Sequence, residues 1–175
     1  MHTRTRPTTE SRMILYLHGF RSSPHSFKAR LIAARMQVLG RSAEYHCPQL
    51  PASPREAIAL ASHLVHEIAP HDLTLIGSSL GGYYATSLAE QIGCRAVLLN
   101  PAVKPPRDLA PYVSVTTAYH SDALFEFKRE YIGELKALAV EKITRPERYF
   151  LLAATGDEVL DWREMVEHYP RARHC

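Results

Sequence analysis

The sequence predicts a three-layer α/β fold, with helices on both faces of a mostly parallel sheet, because strand-like and helix-like segments alternate along the chain. The β-rich runs occupy residues 13–17, 43–47, 73–77, 96–100 and 148–154. Parallel strands joined by helices must be covered on both faces, and such sheets bind ligands beyond the carboxyl ends of their strands. We therefore expect Phe20, the turn at 77–81, Asn100 and residues 155–157 to converge at one edge.

The segments between these strands carry helix signals. Residues 26–38 repeat apolar side chains at helical spacing. These side chains are Phe27, Leu31, Ala34 and Val38. A second helix, ending near residue 69, is predicted by a capping box of Ser53 with Glu56 and by Pro54 at the first helical position. Further helices are predicted over residues 80–92 and 160–169.

Residues 101–143 are predicted to be an insertion that forms a loop and a small helical cap. Residues 101–118 contain four prolines and little periodicity, which favours a loop. Residues 120–143 are helix-like and polar on one side, as a segment folded over the cleft would be.

Length and composition indicate one globular domain over residues 13–175, after a flexible leader at 1–12. The 175 residues carry a formal net charge of +3 and show no clustered basic face, which argues against nucleic-acid binding. No apolar run approaches the roughly 18 residues that span a bilayer, so membrane insertion is not expected. Cys47, Cys94 and Cys175 are odd in number and widely spaced, which favours free thiols in a reducing cytoplasm.

The third strand breaks into the turn Gly77-Ser78-Ser79-Leu80-Gly81, which satisfies the pattern G-x-S-x-G with Ser79 at its centre. A strand that turns directly into a helix strains its central residue and pushes that side chain into the cleft. The flanking glycines remove Cβ atoms that would collide across the turn. We therefore predict Ser79 as a nucleophile, Ser78 as a turn residue, and the Leu80 N–H as an oxyanion-hole donor.

The same turn has two other interpretations, a phosphate-binding loop and a tightly packed turn without chemistry. Gly77 and Gly82 have the spacing of a Walker loop, but Tyr83 and Tyr84 stand where Lys and Ser/Thr are required. The dinucleotide pattern G-x-G-x-x-G is also absent from the sequence. The nucleophile interpretation is favoured, and neither a cofactor nor a metal is expected.

Two further segments supply groups that a nucleophilic serine needs. The first strand ends in His18-Gly19, after which the Phe20 N–H is a candidate second oxyanion donor. Asp157 follows the fifth strand closely and is the candidate acid that orients a base. Asp161 stands at the start of the next helix, where capping is the more common role.

Five segments of the chain resemble those of the YqiA/YcfP-type esterases, small bacterial members of the α/β-hydrolase superfamily. These segments are LYLHGFRSSP, CPQLP, GSSLGGYYAT, LNPAV and TGDEVLD. The resemblance extends over residues 13–170 and implies a serine hydrolase that acts on small carboxylic esters or thioesters. It also implies Ser79 as nucleophile, Asp157 as acid, and the Phe20 and Leu80 N–H groups as oxyanion donors.

The resemblance further implies a last strand, a glycine-rich loop with the catalytic histidine, and a final helix. The sequence ends at RARHC, so we expect a truncated chain that lacks these parts and has little activity. Three histidines of the sequence are candidates for the general base. They are His18, His120 in the polar segment, and His174, which we expect about 15 Å from the catalytic edge. The alternative is a non-catalytic protein that keeps the cleft as a ligand or partner site.

Overall fold

A six-stranded parallel sheet forms the centre of the structure, a computed structural model that describes residues 12–117, 124–157 and 159–175. In chain order the strands are β1 (Met13–Leu17), β2 (Tyr45–His46), β3 (Leu73–Ser78), β4 (Arg95–Leu99), β5 (Ser114–Thr117), β6 (Leu124–Phe127), β7 (Tyr149–Leu152) and β8 (Arg173–His174). The helices are α1 (Phe27–Val38), α2 (Pro54–Val65), α3 (Leu80–Ile92), α4 (Pro105–Asp108), α5 (Glu130–Ala137) and α6 (Trp162–His168). The sheet has the order β2–β1–β3–β4–β7–β8, and β5 pairs with β6 in a separate antiparallel sheet.

The strand order decides which face of the sheet each helix covers. Crossovers between parallel strands are right-handed, and the chain moves one way from β1 to β2 but the opposite way through its later strands. Helix α1 therefore lies on one face, and α2, α3 and α6 lie on the other. The hydroxyls of Thr86 in α3 and Tyr169 after α6 are 2.8 Å apart, in agreement with this arrangement. The predicted three-layer α/β fold is confirmed.

The two faces of the sheet are buried to different extents. On the face with α2, α3 and α6 the strand side chains are fully buried. They include Leu15, Leu75, Leu98 and Leu151. On the α1 face, Ile14, Ile76 and Val97 are only half-buried, and Phe150 is exposed. The main hydrophobic core therefore lies on one side of the sheet.

Helix α1 forms where the sequence predicts it, but its apolar stripe points away from the sheet. Phe27 is 73% exposed, Leu31 58% and Val38 76%, whereas Ala29 and Met36 are buried. Helical spacing identifies which side chains share a face, and it does not indicate the direction of that face.

The segment between β4 and β7 differs from the prediction. The described part of the predicted loop, residues 101–117, contains α4 and β5. Of the predicted helix over 120–143, residues 124–143 are described and contain β6 and the shorter α5, and residues 120–123 lie outside the described residues. The stretch LFEF in β6 alternates apolar and polar residues with the period of a strand over part of its length. We call the described residues 105–117 and 124–137, which comprise α4, β5, β6 and α5, the cap.

The sequence predicts a flexible leader at one end of the chain and a missing last strand at the other. Of the predicted leader, only Arg12 lies within the described residues. At the other end, β8 pairs with β7, so the sheet includes two residues of the last strand that was expected to be missing. His174 pairs with Leu151, and its Nε2 atom lies 3.2 Å from the carbonyl oxygen of Tyr169. It therefore lies beside β7 and not beyond the carboxyl end of that strand.

The turn from β3 into α3 brings three backbone segments close together. A Cβ atom added at Gly77 would overlap the carbonyl oxygen of Gly81. One added at Gly81 would overlap the carbonyl oxygen of Leu17, at the end of β1. The turn therefore requires glycine at both positions.

We predict that Gly81→Ala destabilises the protein by about 3 kcal/mol or more, because the new methyl group forces α3 away from β1. Gly133→Ala is the control, since Gly133 is exposed in α5 and a Cβ there has no atom within 4 Å. Filling this helical position should stabilise the protein by about 0.5–1 kcal/mol. Chemical denaturation measures both effects, and equal stabilities of the two variants would contradict the close approach of α3 to β1.

Candidate active site

Ser79 occupies the turn between β3 and α3 in a strained conformation, with φ of 52° and ψ of −121°. Its amide donates to the carbonyl oxygen of Leu99 at 3.1 Å, and its carbonyl oxygen accepts from the amides of Gly82 at 2.9 Å and Ala102 at 3.0 Å. These bonds hold the turn against the end of β4. The half-buried Ser79 side chain does not cap α3, and it lines a cavity at the carboxyl end of the sheet.

Its neighbour Ser78 is the last residue of β3 and is turned away from this cavity. Ser78 is buried, and its side chain interacts with that of Tyr16 in β1. Of the two adjacent serines, Ser79 is the one that reaches the cavity.

The loop after β1 lies directly against the turn. A Cβ atom added at Gly19 would lie 3.2 Å from the Cβ of Ser79 and 3.7 Å from its Oγ. Phe20 and Leu80 both line the cavity, and neither amide donates a backbone hydrogen bond to another described residue. Both amides are therefore available to an oxygen atom bound next to Ser79.

His18 is buried beneath this loop and is engaged away from Ser79. Its Nε2 atom accepts from the amide of Leu50 at 3.0 Å, and its Nδ1 atom lies 3.0 Å from the carbonyl oxygen of Gly19. An acceptor at Nε2 places the proton on Nδ1. Burial lowers the pKa of His18 and favours this neutral form. His18 thus joins two loops, which favours the role of loop organiser over that of a base.

Asp157 lies beyond the carboxyl end of β7 and lines the same cavity as Ser79. One carboxylate oxygen accepts from the amides of Val159 and Leu160, each at 2.9 Å, and the other accepts from the side-chain amide of Asn100 at 2.8 Å. Burial raises the pKa of Asp157, but these hydrogen bonds outweigh burial and hold the pKa below its ordinary value. The carboxylate is therefore ionised at neutral pH and fixed in orientation.

Asn100 joins the end of β4 to the loop that carries Asp157. Its Nδ2 donates to Asp157, and its Oδ1 accepts from the amide of Ala154 at 2.8 Å. Its φ of 44° is left-handed, a conformation that Asn adopts more readily than most residues. The sequence placed Asn100 at this edge, but a side-chain bridge to a distant loop leaves no local pattern that would reveal it.

The cavity that contains Ser79 and Asp157 has a volume of about 350 Å³. Its apolar wall is formed by Phe20, Leu80, Leu109, Tyr112, Val159 and Leu160. Asp108 adds a second carboxylate, which lies 2.7 Å from the Nε of Arg107. The cavity therefore combines apolar walls with two carboxylates, of which Asp108 is paired with Arg107.

Phe20 also connects the loop after β1 to the cap. Its ring centroid lies 5.2 Å from those of Phe125 and Phe127 and 5.7 Å from that of Tyr112, all edge to face. On the sheet side, the Tyr83 hydroxyl donates to the carbonyl oxygen of Leu135 at 2.7 Å. The position of the cap is thus coupled to the loop that presents the Phe20 amide.

No histidine of the described residues lines this cavity. His18 and His174 make the contacts given above, and His168 packs edge-on against Tyr169. His120 lies outside the described residues. The described part of the chain thus brings a serine, two backbone donors and a carboxylate to one cavity without an imidazole.

A family model matches residues 13–175, a range that includes all of these residues. The chain belongs to the uncharacterised protein family UPF0227. This assignment agrees with the resemblance to the YqiA/YcfP-type proteins that the five sequence segments carry.

Solved structures share the fold at low sequence identity. A protein from Agrobacterium vitis S4, whose name assigns it provisionally to the hydrolases, has a TM-score of 0.74 and 19% identity over 98% of this chain and 80% of its own. Mouse α/β-hydrolase domain-containing protein 10 has a TM-score of 0.67 and 14% identity over 98% and 80%. Est1E from Butyrivibrio proteoclasticus, solved with ferulic acid bound, has a TM-score of 0.67 and 12% identity over 97% and 79%. These likenesses establish the α/β-hydrolase fold.

Membrane and cysteine features can be read from the same structure. Within the described ranges, none of the helices combines the length and apolar character that a bilayer crossing requires. All three cysteines are described and free, with Cys94 buried, Cys47 half-buried and Cys175 exposed. The cytoplasmic location inferred from the cysteines stays a prediction.

We predict that Asn100→Gly, which relieves the left-handed backbone, still destabilises the protein by about 1–3 kcal/mol, because Asp157 and the Ala154 amide lose a partner. The pKa of Asp157 is lower in the folded protein than its ordinary 3.8. Its contribution to stability is therefore present above about pH 4 and is lost as the pH falls towards the lowered pKa. Denaturation at neutral and acid pH measures how far the free energy of unfolding falls on acidification, and this fall should be smaller in the variant than in the wild type. An equal fall in both proteins would contradict the bridge that Asn100 forms to Asp157.

We also predict that acid weakens the fold through His18. Its pKa lies below the ordinary 6.5, so the unfolded chain binds the proton first. The contribution of neutral His18 is complete above about pH 6.5 and is lost as the pH falls from there towards the lowered pKa. His18→Gln, whose amide oxygen accepts a hydrogen bond without titrating, should flatten this part of the stability–pH curve. Identical curves for the two proteins would count against a buried, neutral imidazole at His18.

Proposed function

We propose that this protein is a serine hydrolase that cleaves carboxylic esters or thioesters through an acyl-enzyme on Ser79. The observation that carries the proposal is the strained turn, which directs the Ser79 hydroxyl into a cavity shared with Asp157 and with the Phe20 and Leu80 residues. A nucleophilic serine on such a turn, with backbone donors and an acid nearby, is typical of α/β-hydrolase chemistry. Fold neighbours whose names describe hydrolases and esterases support the same class.

The proposed reaction consists of two displacements at the acyl carbon. The Oγ of Ser79 attacks the carbonyl carbon while its proton passes to a base, and the Phe20 and Leu80 amides donate to the developing oxyanion. The bond to the leaving oxygen or sulfur then breaks, and the base returns the proton to the alcohol or thiol. Water attacks the acyl-enzyme in the same way, which releases the carboxylic acid and restores the Ser79 hydroxyl.

Asp157 has the position and charge of the residue that orients the base. Its ionised carboxylate is held by three hydrogen bonds at the cavity that also contains Ser79. An imidazole between them would donate one N–H to Asp157 and accept the proton of Ser79 with its other nitrogen. Since no described histidine lines the cavity, the proposal requires an imidazole from outside the described residues.

The cavity favours a substrate of modest size with an apolar group. Its volume of about 350 Å³ is bounded mainly by apolar side chains. The ionised Asp157 carboxylate is held by neutral N–H donors at this cavity, and a substrate that carries its own carboxylate would meet a like charge there. Neutral esters or thioesters are therefore the proposed substrates.

The lack of a described imidazole favours one alternative, a non-catalytic protein that binds a small apolar ligand or a partner in this cavity. Such a protein keeps the binding walls but does not form a covalent bond through Ser79. Covalent labelling therefore distinguishes the two functions.

We predict that a fluorophosphonate probe labels Ser79, and that free imidazole increases the labelling because it supplies the base next to Asp157. Labelling and hydrolysis of a neutral aryl ester should fall to background in Ser79→Ala. Ser78→Ala is the matched control, since Ser78 is buried against Tyr16, and it should retain both activities. Labelling sites are identified by peptide mass spectrometry.

The same experiment locates the base and tests the alternative. Loss of basal labelling in His120→Ala, with recovery in imidazole, would assign the base to His120. If the folded wild-type chain stays unlabelled and inactive with and without imidazole, the proposal of a serine hydrolase is refuted. The alternative of a non-catalytic binding protein is then retained.

A further inference from the structure

The strongest feature outside the candidate site is the outer face of α1. Phe27, Leu31, Ala34 and Val38 lie on the side of the helix opposite the buried Ala29 and Met36. We call these four residues the outer stripe. Three of them are large apolar side chains that are each more than half exposed. No other helix of the described residues leaves a whole apolar face towards solvent. An exposed apolar patch of this kind is typical of a surface that binds a partner or a membrane.

Positively charged side chains of α1 flank the outer stripe on both sides. Successive residues are about 100° apart around a helix, which places Lys28 and Arg35 on one flank and Arg30 on the other. All three side chains belong to exposed residues, and α1 contains no Asp or Glu. The surface is therefore apolar along its centre and positively charged along both margins.

A second copy of the chain fits this surface poorly. Packing α1 against the same helix of a second copy would bring Lys28 and Arg35 against the corresponding cations, and no acidic residue on α1 offsets the repulsion. A specific protein interface also draws on about 20–30 residues a side, far more than one stripe of four residues provides.

We propose that the outer stripe binds the surface of an anionic lipid bilayer. A protruding ridge of Phe and aliphatic side chains enters the boundary of a fluid bilayer by about 5–10 Å without a shaped partner. Lys28, Arg30 and Arg35 then lie at the level of the headgroups, where each cation attracts anionic lipid. The helix lies on the membrane and does not cross it, in keeping with its length of 12 residues.

The amino end of α1 lies near the carboxyl edge of the sheet. Lys28 lines a second cavity of about 570 Å³ together with Asn100, Ala154 and Thr155, which follow β4 and β7. The amino end of α1 therefore lies next to the edge that carries Asp157. Membrane binding does not depend on the chemistry proposed for Ser79.

The test is sedimentation of the full chain with vesicles of phosphatidylcholine, with and without about one third phosphatidylglycerol. We expect binding to the anionic vesicles that weakens with added salt. Phe27→Ser/Leu31→Ser should reduce the partition coefficient by at least about tenfold. Lys28→Gln/Arg35→Gln should reduce it by about tenfold on anionic vesicles alone.

Leu124→Ser is the matched control, because Leu124 is an apolar residue of the cap that is 79% exposed. It should bind vesicles as the wild type does, and circular dichroism confirms that each variant is folded. Absence of vesicle binding by the wild type would overturn the proposal. So would equal binding to neutral vesicles, an equal loss in Leu124→Ser, or a dimer in sedimentation velocity that Phe27→Ser/Leu31→Ser dissociates.

Discussion

The close approach of Gly81 to the carbonyl oxygen of Leu17 determines how the rest of the site is arranged. It brings the start of α3 against the end of β1, so the residue before α3 is forced into the left-handed conformation of Ser79. Backbone hydrogen bonds from Ser79 then reach the end of β4, and Asn100 extends the connection to the loop after β7. Residues from four parts of the chain thus meet at one cavity: the loop after β1, the Ser79 turn, the segment after β4 with the cap, and the loop after β7.

The part of the site that the sequence predicts is the part governed by local backbone geometry. A strand that turns at once into a helix demands Gly77 and Gly81, and this demand is visible in neighbouring residues. Asp157 is found in the same way, because a short connection from a strand end fixes its place at the sheet edge. Asn100 and His18 act through side-chain bonds to loops more than 30 residues away, which no sequence spacing records.

Two regions show why other predictions differ from the structure. In α1 the period of the apolar residues is correct, yet the small Ala29 packs on the sheet and Phe27 faces solvent, because close packing of helix on sheet favours small side chains. In the cap, β6 is only four residues long, too short for its alternation to stand out within 120–143. Tertiary packing against Phe20 contributes to its position, and that contact is not local in sequence.

The supports of the Ser79 turn are almost entirely backbone atoms. They comprise the carbonyl of Leu17, the amides of Gly82 and Ala102, and the carbonyl of Leu99. The cavity walls, in contrast, are side chains carried by the cap and by the loop after β7, including Leu109, Tyr112 and Val159. Since the two sets of atoms do not overlap, directed evolution can vary the wall side chains for selectivity while the backbone hydrogen bonds that hold the Ser79 turn are kept.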